Sequence, residues 1–296
     1  MTSVAFLGLG AIGAPMAGHL AKPPFELVVW NRTRAKADDF ARKKGVRIAA
    51  TPADAARNAE IVITCLPSSR EVGEVLTGDD GIQAAISSGA ILVDCTSGDP
   101  AASREFAANL ASCGASFIDA PVSGGVAGAK AGTLTVMCGG DAAVLERARP
   151  ALEAFGKKIV LCGGVGSGHA VKAISNALLA VHVWSTAEGL AALKRLGVGA
   201  DIALDVINAS AGRSNASQNL FPERVLTRAF PRTFRLALLD KDIGIAAKLA
   251  AESGTPVPLI DLAARLIHEA HIELGEDADH VEAAKVVESR AGVVIQ

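Results

Sequence analysis

Up to about residue 163, short apolar runs alternate with alanine-rich stretches. VAFLGL, ELVVW, EIVITCL, AILVDC, ASFID, TLTVMCG and KIVLCG are the strand candidates. Runs that are apolar at nearly every position have no polar face to turn to water, so they predict a parallel sheet covered by helices on both sides. The stretches between them open on residues suited to helix capping: Thr51 before Pro52, Asp99 before Pro100, and Asp141 before AAVLERARPALEAF. Strand and helix in alternation is the sequence form of a doubly wound α/β fold.

After GGVGSG (163–168) the strand-like runs stop, and alanine- and leucine-rich segments continue almost to the end of the chain. The second half is therefore expected to be all-helical. Its first helix, from about Gly168 to Leu196, exceeds the usual length of roughly 8 to 20 residues. A helix of that length is expected to join two domains, 1–163 and 164–296.

Composition narrows the classes of function. The chain has 296 residues, 50% hydrophobic, with 30 glycines, enough for a large core and for two domains. Lysine plus arginine (29) nearly balances aspartate plus glutamate (31), so neither nucleic acid nor an anionic membrane is expected as a partner. Cys65, Cys95, Cys113, Cys138 and Cys162 stand singly, with no metal-finger spacing, and read as reduced core thiols. The N-terminal stretch lacks a basic leader pattern, and no run is long and uncharged enough for a membrane span, so a cytoplasmic protein is expected.

The most specific motif lies in VAFLGLGAIGAPMAGHL, where Gly8, Gly10 and Gly13 form G-x-G-x-x-G between an apolar run and a helix. Gly8 permits a tight turn, Gly10 lets the backbone approach a diphosphate, and Gly13 lets helix and strand pack closely. Leu9, Ala11 and Ile12 belong to the same turn. About twenty residues further on, where an NAD site carries an acidic residue for the ribose 2′-hydroxyl, this chain reads Asn31-Arg32-Thr33. An arginine fork beside a hydroxyl and an amide suits a 2′-phosphate, so NADP is expected in preference to NAD. The opposing reading is that Arg32 and Arg34 are solvated residues at a helix start.

Three further segments carry candidate chemistry. In DAPVSGGVAGAKAGTLTVMCGG, Ser123 with Gly124 and Gly125 makes a turn whose hydroxyl and backbone N–H groups could hold a carboxylate, or merely cover the sheet edge. In GSGHAVKAISNALLA, Lys172 and Asn176 share a helix face otherwise made of alanine, valine, isoleucine and leucine. Lys172 also lies close to the helix N-terminus, where the dipole and partial burial disfavour the ammonium form and suit a proton-transfer group. The opposing reading is a lysine that reaches along its apolar stem to the surface. In LLDKDIGIA, Lys241 and Asp242 interrupt an apolar helical run, as an internal ion pair or as part of a site. No G-x-S-x-G elbow points to a serine hydrolase. His268 and His271 in HEAH lack the H-E-x-x-H spacing, so no metal is expected.

In order and spacing, GLGAIGAPMAGHL, DAPVSGGVAGAKAGTLTVMCGG, GSGHAVKAISNALLA and LLDKDIGIA resemble the β-hydroxyacid dehydrogenases over nearly the whole chain. The resemblance implies a Rossmann domain, a helical domain of dimeric or tetrameric assembly, and NAD(P)-dependent interconversion of a small 3-hydroxy acid and its semialdehyde in a cleft between the two. It implies Lys172 as general acid or base, Asn176 as the residue that orients the lysine or the substrate, and Ser123, Gly124 and Gly125 as holders of the substrate carboxylate. Lys241 would close over substrate and nicotinamide, and Leu66, Pro67 and Thr96 would line the cofactor. The chain departs from the family pattern at Thr96-Ser97, which leaves open which hydroxyl meets the cofactor. It departs also at Ala177, where many members carry a second asparagine, and across 210–234. GSGHAVKAISN also resembles the 6-phosphogluconate dehydrogenases, whose helical domain is usually much longer. A non-catalytic NADP-binding scaffold is the other alternative, and the lysine at 172 argues against it.

Overall fold

The computed structural model describes residues 1–296. The chain divides into two compact units, Met1–Lys172 and Ala173–Gln296.

The first unit is built on strands β1 (Thr2–Leu7), β2 (Phe25–Trp30), β3 (Arg47–Ile48), β4 (Ile61–Thr64), β5 (Ile91–Asp94), β6 (Ser116–Asp119), β7 (Val122–Ser123), β8 (Leu134–Gly139) and β9 (Gly156–Gly163). Between them run α1 (Gly13–Leu20), α2 (Arg34–Lys44), α3 (Pro52–Ala56), α4 (Ser69–Thr77), α5 (Pro100–Ala111), α6 (Gly125–Ala131) and α7 (Ala142–Glu153). The sheet order is β3-β2-β1-β4-β5-β6-β8-β7, with β9 paired to β8. The strands are parallel from β3 through β6, and this is the Rossmann order. Contrary to an all-parallel expectation, β8 runs antiparallel to β6, and β9 follows β8. The short strands β3 and β7 carry too few apolar residues to show in the hydrophobic pattern.

Alternation along the strands explains why both faces are covered. Val4, Phe6, Ile61, Ile63, Ile91 and Val93 enter one buried cluster, whereas Ala5, Leu7, Val62 and Leu92 enter another. The anticipated helix caps are in place: Thr51 accepts from Asp54 N, Asp99 from Ala101 N, and Asp141 from Ala143 N and Val144 N. All five cysteines are free, but only Cys95 and Cys138 are buried; Cys65, Cys113 and Cys162 are half-buried.

Helix α8 (Ser167–Arg195, 29 residues) starts in the first unit and continues into the second. The second unit adds α9 (Ala200–Asn208), a π-helical segment at Ala216–Val225, α10 (Leu236–Glu252), α11 (Pro258–Leu274) and α12 (Ala283–Ala291). Along α8, Ala173, Ala177, Ala180, Trp184, Ala187 and Ala191 recur at helical spacing and enter the core of the second unit. Five of these six residues are alanines, so the stripe is shallow apart from Trp184. No helix is long and apolar enough to cross a membrane.

Candidate active site

Parallel strands bring the loops after β1, β2, β4 and β5 to one edge of the sheet. The strand order reverses between β1 and β4, the place at which open α/β sheets characteristically hold their ligands. The glycine turn follows β1. Gly8 has φ +106°, and a Cβ on it would lie 2.3 Å from the Cys65 carbonyl oxygen. A Cβ on Gly13 would lie 2.0 Å from the Gly8 oxygen, so both glycines are required by close packing. A Cβ on Gly10 would meet nothing within 4 Å. Gly10 and Ala11 are exposed and Ile12 half-buried, leaving an open backbone face at the mouth of α1. These residues fit a dinucleotide diphosphate.

Leu9 is buried, and its N–H donates to Asn31 Oδ1 at 2.9 Å. The Asn31 amide donates in turn to the Thr33 carbonyl at 2.9 Å. Asn31 therefore braces the glycine turn against the end of β2, using one of its two amide N–H groups. Arg32 and Thr33 are exposed. The Arg32 side chain is 75% exposed, with only a 3.9 Å approach to Glu74, and Thr33 makes no side-chain cap bond to α2. Arg34 pairs with Asp38 at 3.0 Å. Arg32 and Thr33 can thus receive an anion, whereas Arg34 is engaged along its own helix.

After β4, Leu66 is half-buried and Pro67 exposed. Thr96, after β5, is 1% exposed. Its hydroxyl accepts from Leu66 N at 3.1 Å, so it ties two of the turns together, and half-buried Ser97 is the more accessible of the pair. Below them Asp94 Oδ1 accepts from the Thr64 hydroxyl at 2.8 Å and from Thr96 N at 3.0 Å.

This buried web extends to the start of α8. Asp119, at the end of β6, accepts from Gly166 N at 2.6 Å and from His169 N at 2.9 Å. Burial pushes the Asp119 carboxyl up, against the pull of His169 and these N–H groups. The His169 ring lies between the Thr96 carbonyl, 2.8 Å from Nε2, and the Ser103 hydroxyl, 2.7 Å from Nδ1. Since a carbonyl only accepts, Nε2 donates to Thr96. The first turn of α8 is thereby held at the edge that carries the glycine turn. Half-buried Lys172 follows His169 by three residues on the same helix face.

Ser123 ends β7 and is half-buried, and Gly124 (φ +133°) and Gly125 (φ +62°) turn the chain into α6. A Cβ on Gly124 would come within 3.0 Å of Leu134, while one on Gly125 would enter open space. In the second unit, Asn176 is 5% exposed and donates through Nδ2 to Asp242 Oδ2 at 2.5 Å. Asp242 is 2% exposed and accepts from Lys241 Nζ at 2.7 Å through its other oxygen. One buried carboxylate thus orients both an amide and an ammonium. Ala177 is fully buried in the helical core, where an asparagine would need a partner of its own.

Asp94, Asp119 and Ser103 were not singled out by the sequence, and His169 only as part of a resemblance. For Asp94 and Asp119 the signal is an aspartate closing an apolar run, in ILVD and SFID, but the partners Thr64 and His169 lie 30 and 50 residues away.

A Rossmann sheet with an open glycine turn, continued by a long helix into a helical unit, defines a dinucleotide-binding protein. Residues 3–164 match the NAD-binding domain of 6-phosphogluconate dehydrogenase, and residues 166–287 match the family described as NAD-binding of NADP-dependent 3-hydroxyisobutyrate dehydrogenase. The chain is 36% identical to mitochondrial 3-hydroxyisobutyrate dehydrogenase of Mus musculus, covering 88% of this chain and 80% of that one. It is 36% identical to the NAD-dependent L-serine dehydrogenase of Pseudomonas aeruginosa, covering 90% and 91%. The solved 3-hydroxyisobutyrate dehydrogenase of Mycobacterium tuberculosis, with L-serine, superimposes with a TM-score of 0.89 at 33% identity over 97% of this chain and 99% of that one. The chain belongs to the β-hydroxyacid dehydrogenase family, of the 3-hydroxyisobutyrate dehydrogenase type.

Proposed function

We propose that this protein is an NADP-preferring oxidoreductase that interconverts a small 3-hydroxy acid and its semialdehyde. The observation that carries the reading is the buried web of Thr96, Ser103, Asp119 and His169, which anchors the helix start bearing Lys172 beside the dinucleotide turn. Gly8, Gly10, Ala11, Ile12 and Gly13 would hold the diphosphate, and Arg32 with Thr33 the 2′-phosphate. Leu66, Pro67 and Ser97 would line the nicotinamide side. When bound, the nicotinamide supplies a hydride to the carbonyl carbon, or accepts it in the reverse direction.

The chain's own groups handle the proton and the geometry. Lys172 gives a proton to the carbonyl oxygen during reduction and takes it from the hydroxyl during oxidation. Asn176, locked by Asp242, orients the reacting group. The Ser123 hydroxyl and the N–H groups of Gly124 and Gly125 hold the substrate carboxylate, and Lys241 closes over substrate and cofactor. The names of the relatives support a compact 3-hydroxy acid, of which 3-hydroxyisobutyrate and L-serine are examples. The match of residues 166–287 to the hydroxyisobutyrate type weighs against a 6-phosphogluconate substrate.

We further propose a cytoplasmic homodimer or homotetramer with no nucleic-acid or membrane partner. Ile202 and Val206 on α9, 62% and 60% exposed, support burial of the helical unit between copies. Absorbance of the reduced nicotinamide is followed with NADPH and NADH across 3-hydroxy acids and semialdehydes. Turnover favouring NADPH with one compact 3-hydroxy acid or semialdehyde is expected. Binding of NADPH without turnover on any of them would defeat the reading.

A further inference from the structure

His268 and His271 stand three residues apart on α11, so their rings project from one face of the helix. Two imidazoles alone are a weak site. The fold supplies a third donor from α10: Asp240 Oδ2 lies 3.0 Å from His268 Nδ1 and 2.8 Å from His271 Nδ1. The three ligand atoms all lie within 4.8 Å of one another. Asp240 and His271 are each 16% exposed, whereas His268 is 64% exposed, so the site has a fixed floor and a movable outer ligand. Asp240 faces away from Asp242, because two residues along a helix differ by about 200°.

A fourth group points to a metal. His271 uses Nδ1 toward Asp240, while its Nε2 lies 3.3 Å from Glu276 Oε1. A carboxylate on the far nitrogen favours the Nε2 proton, so that release of the Nδ1 proton now directed at Asp240 leaves a lone pair there for an ion. Metal-ligating histidines characteristically carry such an outer carboxylate. Two imidazole nitrogens and one carboxylate oxygen suit zinc and its neighbours rather than calcium or magnesium, which prefer oxygen ligands throughout. Ligand bonds of about 2.0 to 2.2 Å require the donors to open by a few tenths of an ångström from their present spacing, a movement the exposed His268 side chain can supply.

We propose that Asp240, His268 and His271 form a surface site for one divalent transition ion of the zinc class, oriented by Glu276 and joining α10 to α11. The ion replaces the N–H protons directed at Asp240 Oδ2, and solvent completes the tetrahedron. The joined turn of α10 is the one that carries Lys241 and Asp242, so the ion stiffens the segment presenting them.

The test titrates the full-length protein, stripped with chelator, with Co2+ and Zn2+ by calorimetry, visible absorbance and thermal melting. One equivalent is expected to bind with a rise in melting temperature. The cobalt spectrum should be tetrahedral, without a thiolate charge-transfer band. His268→Ala, at an exposed position, and the isosteric Asp240→Asn should each remove the stoichiometric binding, and Glu276→Gln should weaken it by about 10- to 100-fold. Failure of the wild type to bind either ion would overturn the proposal. So would undiminished binding in His268→Ala, or a thiolate band assigning the ion to a cysteine.

Discussion

At the scale of single residues, the informative contrast is between side chains that hold the site together and those left for a ligand. Asn31 and Thr96 are both polar residues at strand ends. Each spends its side chain on a neighbouring turn, Asn31 on Leu9 and Thr33, Thr96 on Leu66. Arg32 has only a long, exposed approach to Glu74. Replacing it should therefore cost little stability and much of the 2′-phosphate affinity. Arg32→Ala is expected to weaken NADPH by about 1.5 to 3 kcal/mol, the range for a hydrogen bond to a charged group. NADH should be almost unaffected. Fluorescence titration with both cofactors checks this, and equal weakening of the two would return Arg32 to a structural role. Lys172→Ala is expected to lower kcat by roughly 10² to 10⁴-fold, the range for a lost general acid. Cofactor affinity should hold, and near-normal turnover would remove the lysine from the chemistry.

Among the elements, α8 shows how one helix meets two requirements. Its start is packed tightly: a Cβ on Gly168 would lie 2.2 Å from the Met137 carbonyl oxygen and 2.8 Å from an Asp119 carboxylate oxygen. Further along, a Cβ on Gly189 would meet nothing within 4 Å. The same substitution should therefore have opposite signs at the two positions. Gly168→Ala is expected to destabilise by about 1 to 3 kcal/mol through overpacking, and to lower turnover by displacing the turn that precedes Lys172. Gly189→Ala is expected to stabilise by about 0.5 to 1 kcal/mol, because alanine loses less backbone entropy in a helix. Denaturant melts of both variants, with kcat for the first, measure these effects. A Gly168→Ala protein as stable and active as wild type would mean that the anchoring of α8 is not tight.

Elements were also the most legible part of the chain. Continuous apolar runs and cap residues mark β1, β2, β4, β5, β6, β8 and β9 and the starts of α3, α5 and α7. Such signals depend on neighbours a few residues apart. The antiparallel direction of β8 depends instead on which strand it meets, and no local pattern carries that.

For the whole molecule, stability against acid can be traced to the helical unit. Asp279 is fully buried and accepts from Thr233 N at 2.7 Å and Phe234 N at 3.0 Å, with the His280 ring 3.0 Å away. Burial alone would raise its carboxyl. The His280 ring and the Phe234 and Thr233 N–H groups outweigh burial and hold it well below the usual carboxylate range. Because the folded pKa is depressed relative to an unfolded value of about 3.9, its stabilisation is complete above that value and is lost as pH falls toward the folded one. The melting temperature should thus fall below about pH 4. Asp279→Asn should lower the melting temperature at pH 7 and flatten the acid limb. An unchanged acid limb in that variant would mean that other carboxylates govern acid unfolding.

From the sequence alone came the fold class, the dinucleotide turn and the lysine-bearing helix, because each rests on short-range periodicity or on glycines required within one turn, and the family, because four motifs in order resemble its members. Only the tertiary structure decided which polar residues brace the site and which face outward. Leu9 with Asn31, His169 with Ser103, and Asp240 with His268 are pairs 22, 66 and 28 residues apart. Burial and hydrogen bonding between such residues are properties of their packed neighbours, which no residue's own type or local spacing specifies.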